Sequence, residues 1–366
     1  MITADRLLAL AKRMAPVQWH YRSKQREFFR KEGMRSDAMI VFLVPGKDVV
    51  NGGIMAILKH ASATRSLPGV HHADVRVCTI PNGPTLFRFT RFLNDERVLN
   101  FRQILDVANE LRWLHLNIPE VYLTTFLKAP DVARLRSLKN TQLSFNVMLQ
   151  NIDFEPSRGD IERLGRMGHV TISTAHKAYA CRETEERLGA PLSHWSVWVS
   201  AEKYRRAPYA EKEKLVIYSP DKCPEKKRVL AHLAAAMPDF HFREIRGVRY
   251  EEYLSLIARA KYSITFGEGL DAYLVEPIFS GSIACAVFNR RFFTNEYLHV
   301  PGVFASWTEL MNGLPRLASY LNETTYQEMQ SVQFEKISRE YSYNEYTNNL
   351  ERYYGRLMEA VSAGTQ

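Results

Sequence analysis

The chain has few cysteines, and their spacing matches no familiar metal site or cross-linked framework. Its 366 residues include four cysteines, which stand far apart at positions 78, 181, 223 and 285. None of them forms a CxxC pair or a Cys/His cluster, so neither a zinc site nor a disulfide framework is indicated. A reducing cytoplasm is therefore the expected setting.

Long apolar runs are also missing. No stretch of about 18 or more apolar residues occurs, and the first residues are too charged for a signal peptide. The sequence therefore predicts a chain that neither spans a membrane nor is exported by the usual route. The loop of Asn51, Gly52 and Gly53 is neither a GxGxxG motif nor a Walker loop, and no internal repeat or low-complexity tract is apparent in the chain.

Positive charge is present in excess and is unevenly distributed. The net charge is +9, and residues 1–35 contain nine Lys and Arg against three Asp and Glu, so this segment alone carries nine minus three, or +6. Its apolar stripe and its aromatic residues suit an anionic membrane surface, which we favour, or a helix packed on the first domain with a solvated charged face. Nucleic-acid binding is not indicated, because no RNP, KH, helix-turn-helix or zinc pattern is present.

The length and the alternation of elements predict an α/β chain of two domains, because single cores rarely exceed roughly 250 to 300 residues. The predicted organisation is a basic helical extension (1–35), two Rossmann-like domains (36–190 and 191–340) and a C-terminal helix that returns to the first domain (341–366). Residues 174–188 are predicted to form a helix that ends at Gly189, and Gly313 and Pro315 to interrupt a later helix. The predicted strands are 39–44, 75–79, 113–116, 144–149, 170–173, 215–218, 240–245, 262–266 and 282–288.

The most informative segment is KYSITFGEGLDAYLVEPIFSGSIACAVF, residues 261–288. It predicts a strand, a glycine turn, a buried helix over 270–279 and a second strand. Glu268 then lies in the loop at the carboxyl end of a strand, where open parallel sheets bind ligands, and Glu276 lies on the following helix. An alternative from the residues alone is that Glu268 caps the helix and Glu276 is a structural carboxylate.

This segment resembles the E-x7-E signature of the retaining GT-B glycosyltransferases of the group 1 family, whose usual form is EGFGLPxxEAMAxGxPVV. Glu268, Gly269, Glu276 and Gly281 stand at the family's spacing. Weaker similarities lie at 40–61 and 112–120, and 148–156 is similar to bacterial polysaccharide rhamnosyltransferases of the group. The resemblance implies the GT-B fold, an α/β fold in which two Rossmann-like domains face a cleft.

The resemblance also implies roles for particular residues. Glu268 and His115 would be catalytic, and Glu276 would bind the donor ribose. The alternative for His115 is a structural role, because a lone histidine at a strand end is more often a structural hydrogen-bonder. The backbone of Gly269, Leu270 and Asp271 would bind the donor pyrophosphate together with Lys222 or Lys226. The remaining implied residues are Gly52 and Gly53 on the donor and Asn117, Gln150 and Asn151 on the acceptor side.

Two departures from the family stand out. Ser219 to Lys222 replace the usual arginine after a strand, and Asp271 stands where the family often has glycine. Asp271 could recognise sugar hydroxyls or could signal altered activity. Asp153 and Glu155 look like a D-x-D metal motif, but the resemblance implies no metal and places them on the acceptor side.

The expected function is retaining transfer of a hexose or deoxyhexose, with rhamnose the leading guess, in surface polysaccharide synthesis. The donor is a nucleotide-diphosphate sugar, which is a substrate, so no cofactor is expected. The acceptor is a glycan or a lipid-linked glycan, and the expected location is the cytoplasm, peripheral to the inner face of the membrane. The alternatives are a nucleotide-sugar epimerase or hydrolase, and a non-catalytic protein that binds a glycan or a nucleotide.

Overall fold

The computed structural model describes residues 34, 36–45, 52–81, 96, 98–196 and 198–363. Except for Met34, the basic segment predicted over 1–35 therefore lies outside the described residues. The chain forms two compact units: the first comprises Met1–Ala175, Ala180–Trp195 and Thr347–Gln366, and the second comprises His176–Tyr179 and Ser196–Tyr346.

The first unit is built on a seven-stranded parallel sheet, with strand order β3-β2-β1-β4-β5-β6-β7. All residues of its central strands β1 and β4 are buried, as expected for a parallel sheet covered on both faces. The strands are β1 Ala38–Val44, β2 Asp74–Thr79, β3 Val98–Leu99, β4 Trp113–Pro119, β5 Gln142–Leu149, β6 His169–Thr174 and β7 Leu192–His194. The helices of this unit are α1 Gly52–Arg65, α2 Pro68–His71, α3 Phe101–Val107, α4 Leu123–Lys128, α5 Pro130–Arg136, α6 Arg158–Gly165 and α7 Arg182–Leu188.

The predicted helix over 174–188 is wrong in its first half. Thr174 ends β6, a single 3-10 turn follows at Lys177–Tyr179, and only α7 is helical. The preceding turn residues belong to the second unit, so contacts distant in sequence override the local helical preference there. The predicted end of the helix is confirmed, because Gly189 caps α7 in the left-handed region at φ 78°.

The second unit has a five-stranded parallel sheet, with strand order β12-β11-β10-β8-β9. Its strands are β8 Glu213–Tyr218, β9 His241–Glu244, β10 Ala260–Ile264, β11 Ile283–Val287 and β12 Val303–Phe304. The helices that follow α7 are α8 Lys226–Ala236, α9 Tyr250–Arg259, α10 Ala272–Phe279, α11 Trp307–Tyr320, α12 Glu323–Glu340 and α13 Tyr343–Ala363. From Thr347 onward, α13 belongs to the first unit.

The predicted interruption near Gly313 and Pro315 is also wrong, because α11 continues through both residues. Gly313 is explained by packing: a Cβ atom there would lie 2.5 Å from the Phe304 ring. Among the helices that the structure describes, none is both long and apolar enough to cross a bilayer.

Candidate functional site

Three loops meet at one edge of the five-stranded sheet. They follow β8, β10 and β11, and the carboxyl ends of parallel strands share an edge. Two hydrogen bonds join the loop after β8 to β10 and to the loop that follows it: Ser219 N donates to Ile264 O over 3.0 Å, and Phe266 N donates to Ser219 Oγ over 2.9 Å. The edge is therefore a defined surface on which ligand-binding side chains can be held.

A cavity of about 570 Å³ lies among these loops. Phe266 and Trp307 stack at its wall, with ring centroids 5.1 Å apart and ring planes 15° apart. Lys222 and Arg290 supply two cations to the same wall. A flat ring and an anionic group in one ligand would both find partners here. The other lining residues are Cys223, Pro224, Gly267, Val287, Phe288 and Asn289.

Glu268 directly follows the lining residue Gly267 and faces a histidine. The Nε2 atom of His176 lies 3.5 Å from Glu268 Oε2, and the two side chains are 8% and 37% exposed. The His176 ring meets Phe292 edge-on, at a centroid distance of 4.8 Å. Glu268 therefore does not act as the cap of α10, and its carboxylate remains partly open to solvent.

The cap of α10 is Asp271. Its Oδ1 accepts from Tyr273 N over 2.9 Å and from Leu274 N over 3.2 Å, so the helix begins at Ala272 instead of the predicted position 270. Oδ2 accepts from Thr265 Oγ1 over 2.6 Å. Burial raises the pKa of Asp271 to about 6, with the Asp221 charge adding to the rise and the Thr265 bond opposing it. The chain's own carboxylate thus uses two amides that a phosphate could have met.

The glycines of this loop are required by close packing. A Cβ atom at Gly267 would lie 2.8 Å from Asp221 Oδ2 and 2.9 Å from Asp271 Oδ2. Gly269 adopts φ 94°, and a Cβ atom there would lie 2.3 Å from the Phe293 ring. The backbone at both positions is therefore held closely against its neighbours.

Lys226 is engaged with the protein itself. Its ammonium donates to Ser219 O over 2.8 Å, to Asp221 O over 3.2 Å and to Glu244 Oε1 over 2.7 Å. Hydrogen bonds from Arg246 and Lys226 lower the pKa of Glu244 to about 2. Since an ammonium has three protons, Lys226 fixes the loop after β8, and Lys222 is the predicted lysine that lines the cavity.

Glu276 lies on α10 and is not among the residues that line the cavity. It is half-buried, and its carboxylate adds to burial in raising the pKa values of Tyr204 and Tyr253. The structure therefore places Glu276 beside tyrosines, and its binding of a ribose stays a prediction.

His115 is fully buried in the first unit. Its Nδ1 lies 2.8 Å from Ser144 Oγ and its Nε2 lies 3.1 Å from the Tyr353 hydroxyl. Trp113 Nε1 can only donate to Ser144, over 2.8 Å, so the Ser144 hydroxyl can give its proton to Nδ1. Burial lowers the pKa of His115 to about 3. This geometry favours a structural role over the predicted catalytic one.

The acceptor-side residues are also tied to the protein. Asn117 is fully buried, and its Oδ1 accepts from Asn146 Nδ2 over 2.9 Å. Gln150 Nε2 donates to Gly53 O over 3.0 Å, and Asn151 N donates to Glu120 Oε1 over 3.0 Å. These bonds join loops at the carboxyl edge of the first sheet, where Gly52 begins α1. Contact of these residues with an acceptor or a donor stays a prediction.

Sequence reasoning missed three residues at the edge of the second sheet. Arg290 follows the buried strand β11, and Trp307 follows the Ser306 cap of α11, so both had local signals. His176 had no local signal, because it lies within the predicted helix over 174–188 and its neighbour Glu268 is far away in the sequence.

Comparison with known proteins shows the fold class. No protein-family model matches the chain, and no curated protein matches its sequence. Among solved structures, the apo form of the lipopolysaccharide outer core galactosyltransferase WaaB is similar at TM-score 0.51 and 10% identity, over 84% of this chain and 99% of that one. Apo OtsA is similar at TM-score 0.52 and 8% identity, over 88% and 99%. The trehalose 6-phosphate synthase of Burkholderia multivorans is similar at TM-score 0.51 and 10% identity, over 90% and 100%. The two parallel sheets with their helices therefore form the α/β fold of the GT-B class, which confirms the predicted fold.

Proposed function

We propose that the chain is a glycosyltransferase that uses a nucleoside diphosphate sugar. The observation that carries this proposal is the cavity that combines stacked Phe266 and Trp307 with the cations Lys222 and Arg290, directly beside the loop of Glu268. A nucleotide offers a flat base and a diphosphate, which are the two groups that such a wall would bind. The shared fold of the glycosyltransferases named above supports the same reading.

In the proposed reaction, the bond between the anomeric carbon and the phosphate oxygen breaks, and a bond from an acceptor hydroxyl oxygen to that carbon forms. The hydroxyl proton passes to the departing diphosphate, and the sugar configuration is retained. Lys222 and Arg290 stabilise the charge of the leaving group, and Glu268 lies beside the sugar. The acceptor is a glycan or a lipid-linked glycan of a surface polysaccharide, and the donor sugar is a hexose or a deoxyhexose.

The first test is a screen of UDP-, GDP- and dTDP-sugars by thermal shift and by nucleotide release, with and without glycan acceptors. One nucleotide should stabilise the protein, and its release should depend on acceptor. Arg290→Ala should weaken nucleotide binding about 10- to 100-fold, since hydrogen bonds to charged groups contribute roughly 1.5 to 3 kcal/mol. The matched control is Arg316→Ala, which removes an exposed arginine from the same unit.

The outcomes separate the candidate functions. Release without acceptor would favour a hydrolase or an epimerase. Unchanged binding in Arg290→Ala would contradict the proposed diphosphate site, and a lack of response to every nucleotide would contradict the transferase.

A non-catalytic binding protein is a second candidate, favoured by two observations. Asp271 places a carboxylate on the first amides of α10, and Lys226 is occupied by Ser219, Asp221 and Glu244. Both features reduce the capacity of this edge for phosphate. Nucleotide or glycan binding without turnover on any acceptor would support this candidate.

A further inference from the structure

His176 reaches Glu268 from a part of the chain far away in sequence. The short segment His176–Tyr179 follows β6 but belongs to the second unit. Its histidine places Nε2 3.5 Å from Glu268 Oε2, and the imidazole is 8% exposed. A nearly buried histidine therefore faces the acidic residue next to the candidate donor cavity.

One contact holds the imidazole, and another holds the segment that carries it. The ring of Phe292, which is 4% exposed, meets it edge-on with an interplanar angle of 72°. The next residue, Lys177, pairs with Glu340 of α12 over 3.7 Å, and Lys336 pairs with the same carboxylate over 2.9 Å. The segment that carries His176 is thus anchored independently of Glu268.

The backbone of Glu268 is equally constrained. Gly267 lies against the carboxylates of Asp221 and Asp271, and Gly269 lies against Phe293 in the left-handed region. The side chain of Glu268 is 37% exposed, so its carboxylate faces both His176 and solvent. A glutamate with several free torsions loses reactive geometry unless a neighbour restricts it.

We propose that His176 is a positioning residue that fixes the Glu268 carboxylate beside the donor sugar. The inference rests on the proposed transferase function. At 3.5 Å, Nε2 of the ring lies within ion-pair distance of the carboxylate oxygen, and a protonated ring attracts the carboxylate. Glu268 faces the His176 ring, and Lys177, the next residue, pairs with Glu340. The guanidinium of Arg291 lies 5.7 Å from the centroid of Phe292, the ring that packs on the imidazole.

The kinetic test is a double-mutant cycle on the full chain with His176→Ala, Glu268→Ala and the double variant. His176→Ala should lower kcat about 10- to 100-fold, a loss typical of a misplaced reactive group, while the donor KM changes far less. His176→Gln should recover part of the rate, because the glutamine amide nitrogen can reach the position of Nε2. In the Glu268→Ala background, removal of His176 should cause no further loss.

An equal loss in both backgrounds would overturn the proposal, since His176 would then act on the structure and not through Glu268. A structural test needs no turnover: the His176 imidazole is titrated by NMR in the wild type and in Glu268→Gln. Loss of the nearby negative charge should lower the pKa of His176.

An unchanged His176 titration in Glu268→Gln would also overturn the proposal. A wild-type protein that turns over no donor would instead refute the transferase function, and the titration would still decide whether His176 is coupled to Glu268.

Discussion

The first unit should lose stability in mild acid because two of its buried histidines are neutral. Burial lowers the pKa of both His60 and His115 to about 3. In the unfolded chain the same groups titrate near 6.5. Between these values the unfolded chain binds more protons than the folded one. The contribution of each histidine is therefore complete above about pH 6.5 and is lost as the pH falls toward about 3.

The expected loss follows from linkage. Each histidine has a pKa of about 6.5 in the unfolded chain and about 3 in the folded one, so at about pH 5 it lowers the free energy of unfolding by about 2 kcal/mol. His60 and His115 together should therefore lower the free energy of unfolding by about 4 kcal/mol between about pH 7.5 and about pH 5. His71, whose pKa is lowered mainly by burial, acts in the same direction.

Hydrogen exchange of the β1 and β4 amides measures this free energy for the first unit alone, once intrinsic exchange rates at each pH are divided out. His115→Gln and His60→Phe should each remove about 2 kcal/mol of the pH dependence, whatever their stability at neutral pH. The matched control is His72→Asn, which removes an exposed histidine at φ 51°, a conformation that asparagine adopts readily.

If the free energy of unfolding of His115→Gln fell with pH as much as that of the wild type, the reasoning would be refuted. That result would show that the His115 ring titrates near its ordinary pKa, and a ring of that kind could serve as the predicted catalytic group.

Three further outcomes are expected from the second unit. Asp271→Gly should free two amides of α10 and so strengthen nucleotide binding, measured by calorimetry; weaker binding would contradict this. It should lower the free energy of unfolding by at most about 1 kcal/mol, since glycine is a fair cap. Lys212→Met should destabilise the unit by about 1 to 3 kcal/mol in urea, because its ammonium is buried and donates to two backbone carbonyls; exposed Lys214→Met is the control. Gly269→Ala should cost clearly more than Gly247→Ala in thermal melts, because both have positive φ but only Gly269 would meet a ring; equal costs would refute the packing argument.

Local signals were sufficient for the E-x7-E segment. The apolar strand, the glycine turn and the apolar helix were each predicted in the right order, and they became β10, the loop and α10. The start of α10 was missed by two residues. The signal for it was present, because Asp271 precedes an apolar helical run, and aspartate is a strong N-cap.

The surroundings of several candidate residues depend on partners far away in the sequence. The catalytic prediction for His115 assumed that a polar side chain near a strand end faces a ligand, but Tyr353 occupies its Nε2 from 238 positions away. Lys226 finds Glu244 on β9, and His176 finds Glu268 across 92 positions, the difference between their numbers. A single sequence does not reveal such pairs, whereas helix caps and strand patterns can be read locally.

The late arrival of α13 has a consequence for biosynthesis. The Tyr353 hydroxyl bonds to Thr171 of β6, and Gln142 of β5 donates to Val361 O, so the first sheet is completed by a helix translated after the whole second unit. At typical elongation rates of about 5 to 20 residues per second, translation of the roughly 170 residues between β6 and α13 takes about 10 to 35 seconds. During this interval the nascent first sheet lacks its covering helix. A ribosome stalled before Tyr353 should therefore carry a protease-sensitive first unit, and C-terminal truncation should destabilise β5 and β6, which bond to this helix.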